Sequence, residues 1–196
     1  MTIEIRPYHS SDIYEYYRIC LLTGDSGEDA TGSVEDELLG HYFVAPYCEH
    51  DSSLCFTLTV SGVPSGYIVG TADTFAFARW AEDYWWPPLR ERYAGIDVSS
   101  LSVGSRSLIA DIRKGLSSPG FSVDYPAHLH INLLPIAQGG NGSRMMDVFM
   151  GALIERGVKA VHLGLSPANH RALHFYKKYG MHEISRKGSI FMGLHL

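Results

Sequence analysis

Ala127-His128-Leu129-His130-Ile131-Asn132-Leu133-Leu134-Pro135, then Gln138-Gly139-Gly140-Asn141-Gly142-Ser143, then Asn169-His170-Arg171-Ala172-Leu173-His174-Phe175-Tyr176 are the stretches that decide the fold. From Ala127 to Gly180 they read as strand, glycine turn, helix, strand, helix. Alternation puts Leu129, Ile131 and Leu133 on one face of the first strand and His128, His130 and Asn132 on the other. Pro135 ends that ladder. Met145, Met146, Phe149, Ala152 and Leu153 then recur at helical spacing up to Gly157, and Lys159 to Leu165 is the next strand. The second helix is delimited by Ser166 as N-cap, Pro167 at the first helical position and Gly180 as stop.

Two of these pieces carry chemistry. The turn from Gln138 to Ser143 sets bare backbone N–H groups at the mouth of a helix, where the positive end of the dipole and unsatisfied donors favour phosphate oxygens. That points to a nucleotide or pyrophosphate ligand. In the second helix, Asn169, Ala172 and Tyr176 follow i, i+3, i+7 spacing and so share a face, with a small residue between an amide and a phenol. The face reads as a groove with a polar group at each end.

The rest of the composition narrows the class. A chain of 196 residues with 45% hydrophobic content is enough for one globular domain over residues 1–196 with a substantial core. The net charge is −5 and Lys and Arg form no block, so no nucleic-acid partner is expected. No apolar run reaches the roughly 18 residues that cross a bilayer, and Met1 to Pro7 lacks the layout of a signal peptide, so no membrane partner and a cytoplasmic location are expected. Cys20, Cys48 and Cys55 are odd in number and irregular in spacing, which fits reduced core thiols. Cys48-Glu49-His50 lacks the second ligand pair that a metal site requires, and no metal is expected.

Upstream, Thr2 to Arg6 alternates as a strand, and Ser10 to Asp12 caps an aromatic-rich helix running to about Thr23. Gly24 to Gly32 is an acidic, glycine-containing loop, and Ser33 with Asp36 and Glu37 opens a helix ending near Val44. Leu54 to Val60 and Tyr67 to Asp73 form a hairpin around Ser61 to Gly66. Residues 74–124 carry Phe75, Phe77, Trp80, Tyr84, Trp85, Trp86 and Tyr93, mostly at helical spacing, and read as an inserted pair of helices. These aromatics serve either as core packing or as a lid and substrate wall. Met181 to Arg186 and Ser189 to Leu194 close the chain as a hairpin.

Leu133-Leu134-Pro135, the turn Gln138 to Ser143, and Asn169…Ala172…Phe175-Tyr176…Gly180-Met181 together resemble the acetyl-CoA motifs of the GNAT acetyltransferases. Arg79 to Tyr93 and Tyr125 to Ile131 further resemble bacterial relatives of the acetyltransferase-like domain at the C-terminus of O-GlcNAcases. The resemblance implies an α/β fold with a central mixed six- to seven-stranded sheet flanked by helices, and a helical insertion between strands 3 and 4. The family's turn reads Gln/Arg-x-x-Gly-x-Gly/Ala, whereas Asn141 stands third after Gln138. Taking Gly140 and Gly142 as the glycine pair, with the preceding loop one residue short, puts Met145 and Met146 on a buried helix face; with Ser143 in the last position the pair would be Met146 and Asp147.

The same resemblance implies an acetyl-CoA-dependent N-acetyltransferase, with acetyl-CoA as co-substrate and direct transfer to a primary amine. Main-chain groups of Leu133 and Leu134 would hold the pantetheine arm like an added strand, Gln138, Gly139, Gly140, Asn141, Gly142 and Ser143 would meet the pyrophosphate, and Asn169 and Phe175 would complete the cofactor site. Tyr176 would protonate the departing thiolate. The base is open among His130, His128, Asp124, Asp73 and water; a His-x-His on this strand is similar to that of arylalkylamine N-acetyltransferases. The acceptor is a small-molecule or peptide amine, with Tyr125, Trp85, Trp86, Glu82, Asp83 and Asp124 as candidates to meet it. A monomer or homodimer is expected. The alternative is an acyl-CoA-binding module with little turnover.

Overall fold

The computed structural model describes residues 1–116 and 118–196. Seven strands form one mixed sheet: β1 (Ile3–Pro7), β2 (Cys55–Val60), β3 (Val63–Thr71), β4 (Ala127–Leu133), β5 (Ala160–Leu165), β6 (His182–Lys187) and β7 (Ser189–His195), in the spatial order β1-β2-β3-β4-β5-β7-β6. All neighbours are antiparallel except β4 and β5. That parallel pair is joined only at Ala127↔Val161 and His128↔His162, after which the two strands diverge. The α/β mixed sheet expected from the sequence is therefore present.

Helices cover both faces. On one lie α1 (Ile13–Leu22), α2 (Leu38–Phe43), α3 (Ala45–His50), α4 (Thr74–Trp80), α5 (Trp86–Ala94) and α6 (Val103–Lys114), whose buried side chains form one core with Tyr67 and Val69 of β3. On the other, α7 (Asn141–Glu155) and α8 (His170–Tyr179) pack Met145, Met146, Phe149 and Leu153 against Leu58, Ile68 and Leu129. No helix among the described residues is long and apolar enough to cross a membrane.

An ion pair ties the start of the chain to the sheet. Arg6 donates to both oxygens of Asp12 at 2.7 and 2.8 Å, Thr57 Oγ1 donates to Asp12 at 2.8 Å, and Tyr16 meets Thr57 at 2.9 Å. Burial alone would raise the Asp12 pKa, but Arg6, the His9 N–H and Thr57 outweigh it and hold the carboxyl below its usual value. A buried carboxylate with this many donors is satisfied, so the network fixes where α1 leaves β1.

Several boundaries differ from the sequence reading, each for a local reason. The helix expected from Ser33 begins at Leu38, because Ser33 to Glu37 is held instead by contacts to α6: Ser105 Oγ accepts from Glu35 N at 2.8 Å and Ser33 O accepts from Ser102 Oγ at 2.6 Å. A further helix, α3, follows immediately, with Pro46 near its start. The β2–β3 turn is Ser61-Gly62 rather than Ser61 to Gly66, both at positive φ (50° and 83°), and Pro64 is tolerated beside a register shift at Leu58/Thr59. The insertion holds three helices rather than the expected pair: α4 and α5 are joined by a π turn over Ala81–Trp85, where Pro87 and Pro88 lack the N–H groups a regular α-helix would use, and α6 follows them.

Gly70 sits where β3, β4 and α7 are closest. A Cβ there would collide with the His128 carbonyl and the Phe149 ring, and the carbonyl belongs to a paired strand that cannot yield. We expect Gly70→Ala to destabilise the fold by about 1–3 kcal/mol through overpacking. Denaturant unfolding followed by circular dichroism checks this, and an unchanged midpoint would refute the close packing described.

Candidate functional site

Where β4 and β5 diverge, a cavity of about 770 Å³ opens, bounded by β4, β5, α8, the glycine turn before α7, and residues 20–27 with Leu39 and Phe43. Divergence matters because it leaves backbone groups without a strand partner. Leu134 N–H is bonded to Ser65 O at 2.9 Å on the β3 side, so strand alternation turns the N–H and C=O of Leu133 to the opposite side, into the cleft. The expectation for Leu133 agrees with this placement. That for Leu134 requires correction: its N–H is already occupied, its side chain packs against the α1–α6 core, and it is not part of the cavity wall.

The glycine turn is built as an anion cradle. Gly139 and Gly140 have φ of 76° and 91°, and Gly140 is the N-cap of α7 with no side chain capping the helix. The first N–H groups of α7 therefore have no intrahelical acceptor. Gln138, Gly139, Gly140, Gly142 and Ser143 all line the cavity. Asn141 does not: it is buried, donating through Nδ2 to Ala137 O (3.0 Å) and Gln138 O (2.9 Å) and accepting from Arg144 at 2.8 Å. Its side chain shapes the turn and is taken out of any ligand contact. A Cβ on Gly142 would stand 3.1 Å from the Phe175 ring, which explains a residue without one. Met145 and Met146 are fully buried, as the Gly140/Gly142 register requires.

On α8 the N-cap is Asn169 rather than Ser166, because Asn169 Oδ1 accepts from Ala172 N at 2.9 Å. Asn169, Ala172, Phe175 and Tyr176 still border the cavity together, and Gly180 ends the helix at φ 105°. Tyr176 is 8% exposed, its hydroxyl bonds to no group among the described residues, and burial pushes its pKa up, so it remains a protonated donor at neutral pH.

His130 reaches the cavity from β4, whereas His128 lies behind it. Tyr47 Oη contacts His128 Nε2 at 2.7 Å and His130 Nε2 at 3.1 Å. Burial pushes His130 down to about 4, with a smaller push from His162, and drives His128 well below the usual imidazole value. Both rings are neutral at pH 7.

The remaining expectations lie elsewhere. Asp124 is exposed ahead of β4 and outside the cavity wall, and Asp73 accepts from Phe75 N and Ala76 N at 2.9 Å each as the cap of α4. Of the acceptor candidates, Trp86 is fully buried, Glu82 pairs with Arg90 at 2.8 Å, and Tyr125 bonds to His182 and His195 at 3.0 and 3.2 Å; none of these, nor Trp85 and Asp83, lines the cavity. None of the inserted aromatics lines the cavity: Phe77, Trp86 and Tyr93 are buried in the core, with Phe77 stacked on Tyr47 at 4.4 Å behind the histidines, while Phe75 and Tyr84 are exposed away from it. The wall that sequence reasoning missed comes from the end of α1, the loop after it and α2. Cys20, Thr23, Gly24, Ser26, Gly27, Leu39 and Phe43 face β4, and Gly27 (φ 98°) lies against Arg171 and Asn169 of α8. Gly24 and Gly27 in an otherwise acidic loop were the available signal.

No family model matches the sequence. Over 185 residues the chain is 24% identical to the protein O-GlcNAcase of Rattus norvegicus, covering 93% of this chain and 20% of the relative. It thus spans about a fifth of that protein's length. Among solved structures, it superposes on the N-acetyltransferase paia of Thermoplasma acidophilum, solved with coenzyme A, with a TM-score of 0.60 and 12% identity over the whole of both chains. It superposes on SsHAT with a TM-score of 0.89 and 34% identity, covering 100% of this chain and 98% of that one. An open β4 edge, an uncapped α7 and a phenol on the α8 groove, together with that full-length likeness, place the chain in the GNAT family of acyltransferases.

Proposed function

We propose that this chain binds acetyl-CoA along the β4–β5 cleft and transfers the acetyl group directly to a primary amine of a small-molecule or peptide acceptor. The observation that carries this reading is the convergence on one cavity of the free Leu133 edge, the uncapped start of α7, Tyr176 and His130. When bound, the co-substrate supplies an activated thioester. Leu133 holds its pantetheine arm, as an added strand would be held, and the N–H groups at Gly142 and Ser143 meet the pyrophosphate with the α7 dipole behind them. Asn169 contributes through Nδ2, since its Oδ1 is committed to the α8 cap. His130 accepts the amine proton as the nitrogen attacks, and Tyr176 donates to the leaving sulfur.

The acceptor end is bordered by Cys20, Leu39, Phe43 and Leu129, and the charged side chains on the cavity wall are Arg171 and Lys178. A wall without a carboxylate suits an acceptor that enters as its uncharged free base. The second reading, an acyl-CoA-binding module with little turnover, is favoured by the match to one fifth of a much longer O-GlcNAcase.

Binding is tested first. At free acetyl-CoA about 100-fold above its Kd, linkage adds about 2.7 kcal/mol, which for a domain of this size raises Tm by roughly 5–10 °C. Gly142→Asp should remove that shift, because its Cβ meets Phe175 and its carboxylate enters the anion cradle. No shift in the wild-type chain at millimolar ligand defeats the reading.

Turnover separates the two readings. Tyr176→Phe keeps the buried ring, so the thermal shift should persist while thiol release falls by roughly 10²-fold or more. A donor with a more acidic leaving thiol should partly rescue it. His130→Gln should lower the neutral-pH rate by about 10²-fold with acetyl-CoA binding intact. Wild-type binding without thiol release across an amine screen would leave the binding module as the answer.

A further inference from the structure

We propose that Tyr47, His128 and Thr74 form a directional hydrogen-bond relay that holds His130 with its proton on Nε2 and presents the unprotonated Nδ1 to the cavity. The catalytic meaning of the relay rests on the acetyl-transfer reading above; its geometry does not. Tyr47, His128 and Thr74 are positioning residues, and His130 is the group they position.

The direction is set from the far end. Pro126 O can only accept, and it receives Thr74 N–H and Thr74 Oγ–H, each at 2.7 Å. With its one hydrogen so used, Thr74 Oγ must accept from His128 Nδ1 at 2.7 Å. His128 Nε2 is then a bare acceptor, and the Tyr47 hydroxyl donates to it at 2.7 Å. The phenol oxygen has no second hydrogen, so it accepts from His130 Nε2–H at 3.1 Å. The opposite tautomer of His130 would set a nitrogen lone pair against the lone pairs of Tyr47. Among the described residues His130 Nδ1 has no hydrogen-bond partner, yet it is not one of their sealed, unpartnered side-chain atoms, which are His50 Nδ1, Trp86 Nε1 and Ser122 Oγ. It therefore keeps solvent access from the cavity that His130 lines.

The surroundings keep every member neutral. Phe43 of α2 sits edge-on to His130 at 5.2 Å, and Phe77 of α4 contacts His128 at 5.5 Å. The titratable groups acting on the relay are His50 of α3 and His162 of β5 on the histidines, and Tyr42 of α2 and Cys55 of β2 on Tyr47; Cys20 of α1 shares the cavity wall with His130. The Asp73 carboxylate, next to Thr74, is held by the α4 N–H groups. Burial raises the Tyr47 phenol far above its usual range and lowers both imidazoles. The relay ends on a carbonyl, which cannot release a proton, so it orients His130 and exports nothing. In the transfer, the amine N–H bond breaks toward His130 Nδ1, the nitrogen–acetyl bond forms, the carbon–sulfur bond breaks, and Tyr176 protonates sulfur. His130 and Tyr176 then return to their starting states through solvent.

Histidine-selective ¹⁵N NMR of the whole chain at neutral pH tests the relay without any acceptor. Opposite tautomers are expected in the wild type: Nδ1–H on His128 and Nε2–H on His130. Thr74→Val removes the acceptor that anchors the relay, so every donor should reverse: His128 donates from Nε2 to Tyr47, Tyr47 donates to His130 Nε2, and His130 carries its proton on Nδ1. In that variant the neutral-pH kcat should fall by about 10²-fold, the size of losing the base, with the acetyl-CoA thermal shift unchanged. Thr74→Ser should keep the wild-type tautomers and rate. Tyr47→Phe, which keeps the stack on Phe77, cuts the relay between the two histidines and serves if Thr74→Val does not fold: His128 should keep Nδ1–H on Thr74, while His130 loses the acceptor that fixes its tautomer and should become a mixture of the two. Wild-type histidines sharing one tautomer, or an unaltered pattern in the folded variants, overturns the relay. Opposed tautomers in a chain that fails to bind acetyl-CoA uphold the relay and sink the acetyl-transfer reading.

Discussion

Everything in the site depends on β4 and β5 separating after two paired residues, Ala127↔Val161 and His128↔His162. A parallel pair that stayed together would satisfy its own backbone groups and seal the sheet. By parting, the strands expose a row of donors and acceptors at the middle of the sheet, where burial makes an unpaired group costly and a ligand that pairs it correspondingly favourable. β3 on one side and β7 on the other hold the two strands by long antiparallel registers, so the gap is part of the frame and does not depend on a mobile loop.

The two faces of the sheet divide the work. On the α7–α8 face, an apolar core of Met145, Met146 and Phe149 fixes the helix whose first turn forms the anion cradle, and Asn141 locks the turn through three hydrogen bonds. On the opposite face, the inserted helices supply no cavity wall. They instead back the histidines: Phe77 stacks on Tyr47, and Thr74, the first residue of α4, meets His128. An insertion that reads as a separate aromatic unit is thus linked to the β4 histidines through a phenol and a hydroxyl. The desolvation that lowers both imidazoles comes from the same packing.

The third wall belongs to the segment after α1. Thr23 Oγ1 accepts from Asn132 Nδ2 at 2.5 Å and donates to Ile19 O at 2.7 Å, pinning the end of α1 to the polar face of β4. Gly27 then crosses to Arg171 and Asn169, and Arg171 reaches Gln138 at 3.3 Å. These contacts link the loop, the α8 N-terminus and the glycine turn around one opening. Asp25, Glu28 and Asp29 of this loop remain exposed, so its acidity faces solvent.

Read alone, the sequence was enough for the succession of strand, glycine turn, helix, strand and helix in the last third, the face shared by Asn169, Ala172 and Tyr176, and a helical insertion before it. Those features are local: period-two alternation in His128 to Leu133, period 3.6 in Met145 to Leu153, and Gly180 as a helix stop all act within a few residues. The polar face of β4 was legible for the same reason, with His128 and His130 placed together on it. Which of these groups share a cavity is settled by long-range packing. It committed Leu134 N–H to Ser65, took Asn141 into the turn, made Asn169 a cap, left Asp124 outside, and brought Cys20 of α1, Gly27 of the loop after it and Phe43 of α2 across to β4. Each of those outcomes is a competition for a hydrogen bond or a packing partner distant in the chain, and the winner is fixed by three-dimensional proximity that spacing along the sequence does not encode.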